Sequence, residues 1–140
     1  DFKSQIIVLA FTTNDNITIA IGKNNRQNDY LTFKIAHATD LWLHVKDIPG
    51  SHVILFTGHQ APSATALLTA AKLAAFFSKA RHSTTVPVDY TRRSYVKKPP
   101  GSKPGYVIYT QQKTLNVPPD DPRHNPRLQE TSLRIPSRGR

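Results

Sequence analysis

The chain has 140 residues, enough for one modest hydrophobic core. Nineteen Lys and Arg against nine Asp and Glu give a formal charge of +10, which makes a polyanion the first partner to consider. There is no cysteine, so disulfides, thiol nucleophiles and Cys-ligated zinc sites are excluded, and the lack of any methionine suggests a piece cut from a longer protein.

The opening Asp1-Phe2-Lys3-Ser4-Gln5 has no signal-peptide character, and the apolar run at 6–11 is too short to serve as one. The longest apolar stretch, 64–77, is interrupted by Thr69 and Lys72 and falls short of the roughly 20 residues a bilayer span requires. The expectation is a soluble, cytoplasmic domain with no membrane partner.

In chain order, Ile6-Ile7-Val8-Leu9-Ala10-Phe11 and the alternating Ile17-Thr18-Ile19-Ala20-Ile21, joined by Thr13-Asn14-Asp15-Asn16, predict an antiparallel hairpin with Ile17, Ile19 and Ile21 facing the core. A polar loop follows, and Asn28 or Asp29 is placed to cap a short helix to about Ala36. Residues 41–46 alternate cleanly, turn at Pro49-Gly50 and lead away through 52–56 as a second hairpin. From Ser63 as N-cap, residues 64–81 predict one long packing helix with Thr65, Thr69, Lys72 and Lys79 on its exposed side. Strands are predicted at 86–90 and 106–110, with 114–117 closing a last hairpin across Gln111-Gln112-Lys113. The fold class is α+β: a small mixed or antiparallel sheet, one long helix and one short one. Residues 1–118 form the domain. The Pro- and Arg-rich residues 119–140 carry few large apolar side chains and predict a flexible basic extension.

The charge is unevenly placed. Residues 72–113 hold nine Lys and Arg opposed only by Asp89, which is 8 of the net 10. With Tyr90, Tyr95 and Tyr106 interleaved, this segment suits phosphates and unstacked bases; an anionic surface, an acidic protein or plain solubility would suit the same charge. On 41–46 the period of two sends Leu41, Leu43 and Val45 to one side and Trp42, His44 and Lys46 to the other. Trp42, His44 and Lys46 then either meet a base and a phosphate, or Trp42 packs beneath the long helix with His44 partly in the core.

Asp47, Ser51 and His52 invite a hydrolytic reading, but triads are defined by spatial geometry and no Gly-x-Ser-x-Gly elbow is present. His37, His44, His52 and His59 recur every seven or eight residues without the helical i, i+4 pair of a metal site. No metal, cofactor or catalytic group is expected.

Residues Ile21-Gly22-Lys23-Asn24-Asn25-Arg26-Gln27-Asn28-Asp29, then Asp40-Leu41-Trp42-Leu43-His44-Val45-Lys46-Asp47-Ile48-Pro49-Gly50-Ser51-His52-Val53-Ile54, and later Gly101-Ser102-Lys103-Pro104-Gly105-Tyr106-Val107-Ile108-Tyr109, resemble the NFACT-R family of RNA-binding domains. The resemblance runs from about residue 6 to 118. It implies the C-terminal domain of a larger RqcH-like or NEMF-like factor of ribosome-associated quality control, acting on obstructed large subunits and supporting template-free C-terminal alanine tailing by the full-length protein. The implied partners are tRNA, large-subunit rRNA and the ribosomal large subunit. Candidate RNA contacts are Lys23 and Arg26 in the first loop, Trp42, His44 and Lys46 on the strand, and Lys79, Arg81, Lys97, Lys98 and Lys103 beyond it. The alternatives are a fibronectin- or fibrinogen-binding surface protein and a small hydrolase using Asp47 and His52.

Overall fold

The computed structural model describes residues 5–136; residues 1–4 of the expected domain and 137–140 of the expected extension lie outside the described residues. Strands β1 (Gln5–Thr12) and β2 (Thr18–Ile21) form the first hairpin, with Leu9 opposite Ile21 and Thr12 opposite Thr18. β3 (Leu41–Val45) and β4 (Val53–Leu55) form the second. With β5 (Val86–Arg92), they build the centre of an antiparallel seven-stranded sheet.

Helix α1 (Asn25–Tyr30) begins three to four residues before the expected cap, because Asn24 caps it: the Asn24 side chain accepts from Gln27 N–H, while Gln27 Oε1 accepts from Lys23 N–H. It runs on as a π-helical turn, Leu31–Ile35. Helix α2 (Ala64–Phe76), capped by Ser63 as expected, stops five residues short of the predicted end. At Phe77 the backbone leaves helical geometry to pair with the Pro49 turn: Phe77 C=O accepts from Ser51 N–H, and Pro49 C=O from Lys79 N–H.

Both faces of the sheet are covered. Ile19, Ile21, Leu43, Val45, Val53 and Leu55 pack against the Ala-rich face of α2, so the expected Leu41/Leu43/Val45 stripe and the core-facing isoleucines are found. On the opposite face Val8, Ala10, Ala20, Trp42 and Ile54 form a second core under Leu31 and Val96, beside Tyr109. Leu31 is buried as expected of the short helix, and Phe33 and Ile35 pack around it.

The last predicted hairpin does not form. β7 (Ile108–Tyr109) pairs with β6 (Val96–Lys97) in a separate two-stranded sheet, whereas β8 (Lys113–Val117) pairs with β5 at the edge of the main sheet. Two anchors outweigh proximity in sequence. Thr91 Oγ1 donates to Thr110 C=O at 2.8 Å, and the Tyr109 hydroxyl reaches Asp89, which together hold β7 over the second core.

In the extension expected to be flexible from residue 119, secondary structure continues as far as Pro136. A 3-10 turn, Pro122–His124, buries Pro122, and β9 (Gln129–Pro136) pairs along the whole length of β1. An edge strand needs few apolar residues: Leu128, just before β9, packs on the first core, and Leu133, within it, on the second. The segment also crosses the outer side of α2, where Lys72 Nζ lies 3.5 Å from Asp120, so Thr69 and Lys72 are half-covered rather than free.

Ending the chain at Pro119 would uncover the β1 edge. The expected outcome is a lower thermal midpoint together with concentration-dependent self-association in sedimentation; an unchanged midpoint in a monomeric truncation would contradict the role given to β9.

Candidate nucleic-acid interface

Three distant segments meet around one groove. Gly22 N–H donates to His52 C=O, Gly50 bridges to Ser78, and the Pro49 turn holds residues 77–79, so Lys23, Lys79 and Arg81 line an open groove of about 350 Å³. The approach at Gly22 requires glycine, since a Cβ there would lie 2.1 Å from Asn28 Oδ1, the oxygen that accepts from His52 N–H. All three basic residues are exposed. Lys23 Nζ sits 5.4 Å from the Phe77 ring centre, and the Arg81 guanidinium lies 4.2 Å over Phe76 while its Nε donates to Phe76 C=O. The groove lining contains no carboxylate. Its exposed donors are therefore available to phosphate oxygens.

Arg26, also exposed, stands on α1 beside a second opening of about 550 Å³ walled by Tyr30, Phe33, Lys34 and Lys98. Lys34, not singled out by sequence, joins Arg26 here. The signal was their shared presence on one short helical stretch. Lys98 differs from the other candidates. Its ammonium donates to the carbonyls of Lys103 and Tyr106 at 2.6 and 3.0 Å and lies 3.3 Å from Asp29, so its donors close the Pro/Gly loop onto α1. Asp29 also accepts from Gly105 N–H, where a positive φ of 88° favours glycine. Lys97 and Lys103 remain exposed on β6 and on the loop.

On the Trp42, His44 and Lys46 face, Trp42 and His44 are covered to different degrees while Lys46 keeps 41% of its side chain exposed. Trp42 is 0% exposed, so it presents no open ring to solvent, and it packs beneath the layer opposite α2 rather than under that helix. His44 stacks parallel to it at 5.6 Å, and His52 meets it edge-on at 5.3 Å. Lys46 lies 3.6 Å from Asp89. That buried carboxylate also accepts from the Tyr109 hydroxyl at 2.7 Å and from Thr114 Oγ1 at 2.6 Å, which satisfies it on both oxygens. Burial, helped by the Asp89 partner, pushes the Tyr109 hydroxyl well above its ordinary range and keeps it a donor. Together Trp42, His44, His52 and Tyr109 wall a cavity of about 420 Å³ whose mouth carries Asp47 and Tyr106.

His52 is 1% exposed, and its Nδ1 meets Thr32 Oγ1 at 2.9 Å. Its other polar contact is the backbone of Gly105. Asp47, its partner in the hydrolytic alternative, is exposed on a left-handed turn at φ 62°. Desolvation, reinforced by His44, lowers the His52 pKa to about 3, so the ring is neutral at physiological pH. His44 is lowered as well, chiefly by burial, against the raising effect of the Val45 and Gly50 backbone. No group of three metal-ligating side chains occurs among the described residues, and no helix there is long and apolar enough to cross a membrane.

These buried imidazoles make stability depend on pH. The unfolded chain binds the His52 proton near pH 6.5 and the folded one only near 3, so between these values the unfolded state holds more protons. Stability is complete above pH 6.5 and declines as pH falls through that window, by about 1.4 kcal/mol per pH unit for one histidine. His44 adds to the same slope. Urea midpoints should be level above pH 7 and fall steadily from 6.5 to 5; a flat profile there would show that these imidazoles titrate alike in both states.

Comparison with known proteins places the chain. Residues 7–111 match the NFACT protein RNA binding domain. The Rqc2 homolog RqcH of Bacillus subtilis (strain 168) is 49% identical over 114 residues, covering 81% of this chain and 20% of that protein. The Rqc2 homolog RqcH of Streptococcus suis (strain 05ZYH33) is 52% identical over 109 residues, covering 78% of this chain and 20% of the relative. The chain thus spans about a fifth of the length of these curated relatives. Among solved structures, the C-terminal part of the fibronectin/fibrinogen-binding protein from Streptococcus suis superposes with a TM-score of 0.77 at 50% identity, covering 81% of this chain and 46% of that one. With the matched segment running through the groove, the aromatic cavity and the lysine-bearing loop, this chain belongs to the NFACT RNA-binding domain family.

Proposed function

We propose that this domain binds RNA as part of a ribosome-associated quality-control factor in the cytoplasm, without catalysing a reaction itself. The observation that carries the reading is the carboxylate-free groove where Lys23, Lys79 and Arg81 converge from three separate segments. Ammonium and guanidinium groups held on a rigid frame neutralise successive phosphates at little ordering cost. The curated relatives are named as homologues of the quality-control factor Rqc2, and each is about five times as long as the matched segment. On this reading the domain docks the longer factor on tRNA or large-subunit rRNA of an obstructed ribosome, and template-free alanine tailing belongs to the full-length protein. Arg26, Lys97 and Lys103 extend the basic surface, while Lys98 shapes it and Lys46 serves Asp89.

A second reading, fibronectin or fibrinogen binding, is favoured by the description of the Streptococcus suis structure. The two part on salt and on competition. RNA displaced by fibronectin at equal sites would favour adhesion on this face.

For RNA, the logarithm of affinity should fall linearly with the logarithm of salt concentration. Lys23→Ala, Lys79→Ala or Arg81→Ala should each make that slope shallower by about 0.7 to 0.9, the share of one phosphate that is no longer neutralised. Lys98→Ala should instead lower the thermal midpoint with a smaller change in slope. Salt-independent affinity, or groove variants with unchanged slopes, would overturn the phosphate reading.

A further inference from the structure

The groove accounts for phosphates and leaves the neighbouring aromatic cavity without a use. Four rings wall it, and each is fixed. Tyr109 packs 4.6 Å from Trp42 and is tethered through its hydroxyl to buried Asp89. His52 is tethered to Thr32, and His44 stacks on Trp42 with its Nδ1 against the Val45 carbonyl. The four rings are uncharged, since burial keeps both imidazoles neutral, and the charged lining residue is the Asp47 carboxylate at the mouth, so the cavity offers a phosphate nothing. Behind this wall Trp42 Nε1 is a fully buried side-chain donor without a hydrogen-bond acceptor among the described residues. The volume of about 420 Å³ lies within the range of small-ligand cavities, about 300–1,000 Å³, and is far too small for a duplex.

The mouth differs from the interior. Tyr106 stands there 55% exposed, an aromatic side chain with no core to fill, on a loop pinned by Lys98 through its own carbonyl. Lys103, exposed, precedes it by three residues in the same loop, and its carbonyl accepts from Tyr106 N–H. A planar, uncharged, heteroaromatic group with one charged attachment meets these features at once. Its face lies on Tyr106, its edge enters among the ring walls, and its attached phosphate stays outside with the basic loop.

We infer that this cavity receives a single unstacked nucleobase of the bound RNA, with Tyr106 as its stacking platform. The inference rests on the RNA-binding reading and adds to it a base subsite separate from the phosphate groove. It makes the domain a reader of single-stranded or flipped-out nucleotides rather than of helical RNA alone.

The single tryptophan of the chain is the reporter. A single-stranded octaribonucleotide should quench Trp42 fluorescence as it binds, and an abasic ribose-phosphate octamer of equal charge should bind more weakly without quenching. Tyr106→Ala should weaken the intact octamer on the order of ten-fold, the worth of one base–aromatic stack, and leave the abasic octamer unaffected. Because Tyr106 is exposed, a near-UV circular dichroism spectrum like that of the parent shows that the fold is kept. Equal affinity for intact and abasic octamers, or an indifferent Tyr106→Ala, overturns the base subsite; if Lys79→Ala and Arg81→Ala still weaken binding, the RNA reading stands without it. If neither octamer binds at low salt, both fall together.

Discussion

Strands β3 and β4 bury Leu43, Val45, Val53 and Leu55 against α2 and, on the reverse side, Trp42 and Ile54 beneath the α1 layer. Strands covered on both sides press the polar groups they carry to find partners within the protein, and Trp42 Nε1 is the buried side-chain atom among the described residues that has none. Most of the local architecture answers that demand. His52 sits against Thr32 and the Gly105 backbone, its own N–H goes to Asn28, and Asp89 collects Tyr109, Thr114 and Lys46. These pairings tie the α1 layer and the small sheet to the large one, and in doing so they shape the rims of both cavities.

The same demand explains why the basic residues divide into two kinds. Lys46 and Lys98 are drawn inward, one toward a buried carboxylate and the other across the mouth of the Pro/Gly loop. Lys23, Lys79 and Arg81, all exposed residues, converge on the groove, where Lys23 and Arg81 rest against Phe77 and Phe76. Charge counted along the chain treats them all alike. Charge placed on the fold separates scaffold from contact surface.

How much was legible in the sequence varies with the kind of signal. Period two in residues 41–46 identified the Leu41, Leu43 and Val45 stripe, and turn chemistry at Thr13–Asn16 and Pro49-Gly50 identified both hairpins. Alternation tells two sides apart without saying that either is dry, so the burial of Trp42 on the far face was not decidable from it. The start of α1 was readable in principle, because Asn24 and Gln27 are spaced as a capping box, but the run of asparagines offered several caps. The pairing of β8 with β5 and the ordering of β9 depend on contacts distant in sequence, which local propensity cannot weigh. The groove cations were recognised as types; their convergence came from the bridge between Gly50 and Ser78.

The pinned Pro/Gly loop has a kinetic meaning. Lys98 joins the loop's far end to its beginning, and Asp29 anchors Gly105 to α1, so a segment rich in proline and glycine is held in one shape before any partner arrives. A surface held in one shape needs no refolding on encounter when that shape fits the partner, so its association rate is then set by diffusion and long-range attraction, and differences among partners are expressed in how long they stay. On the RNA-binding reading, selectivity then resides in dwell time.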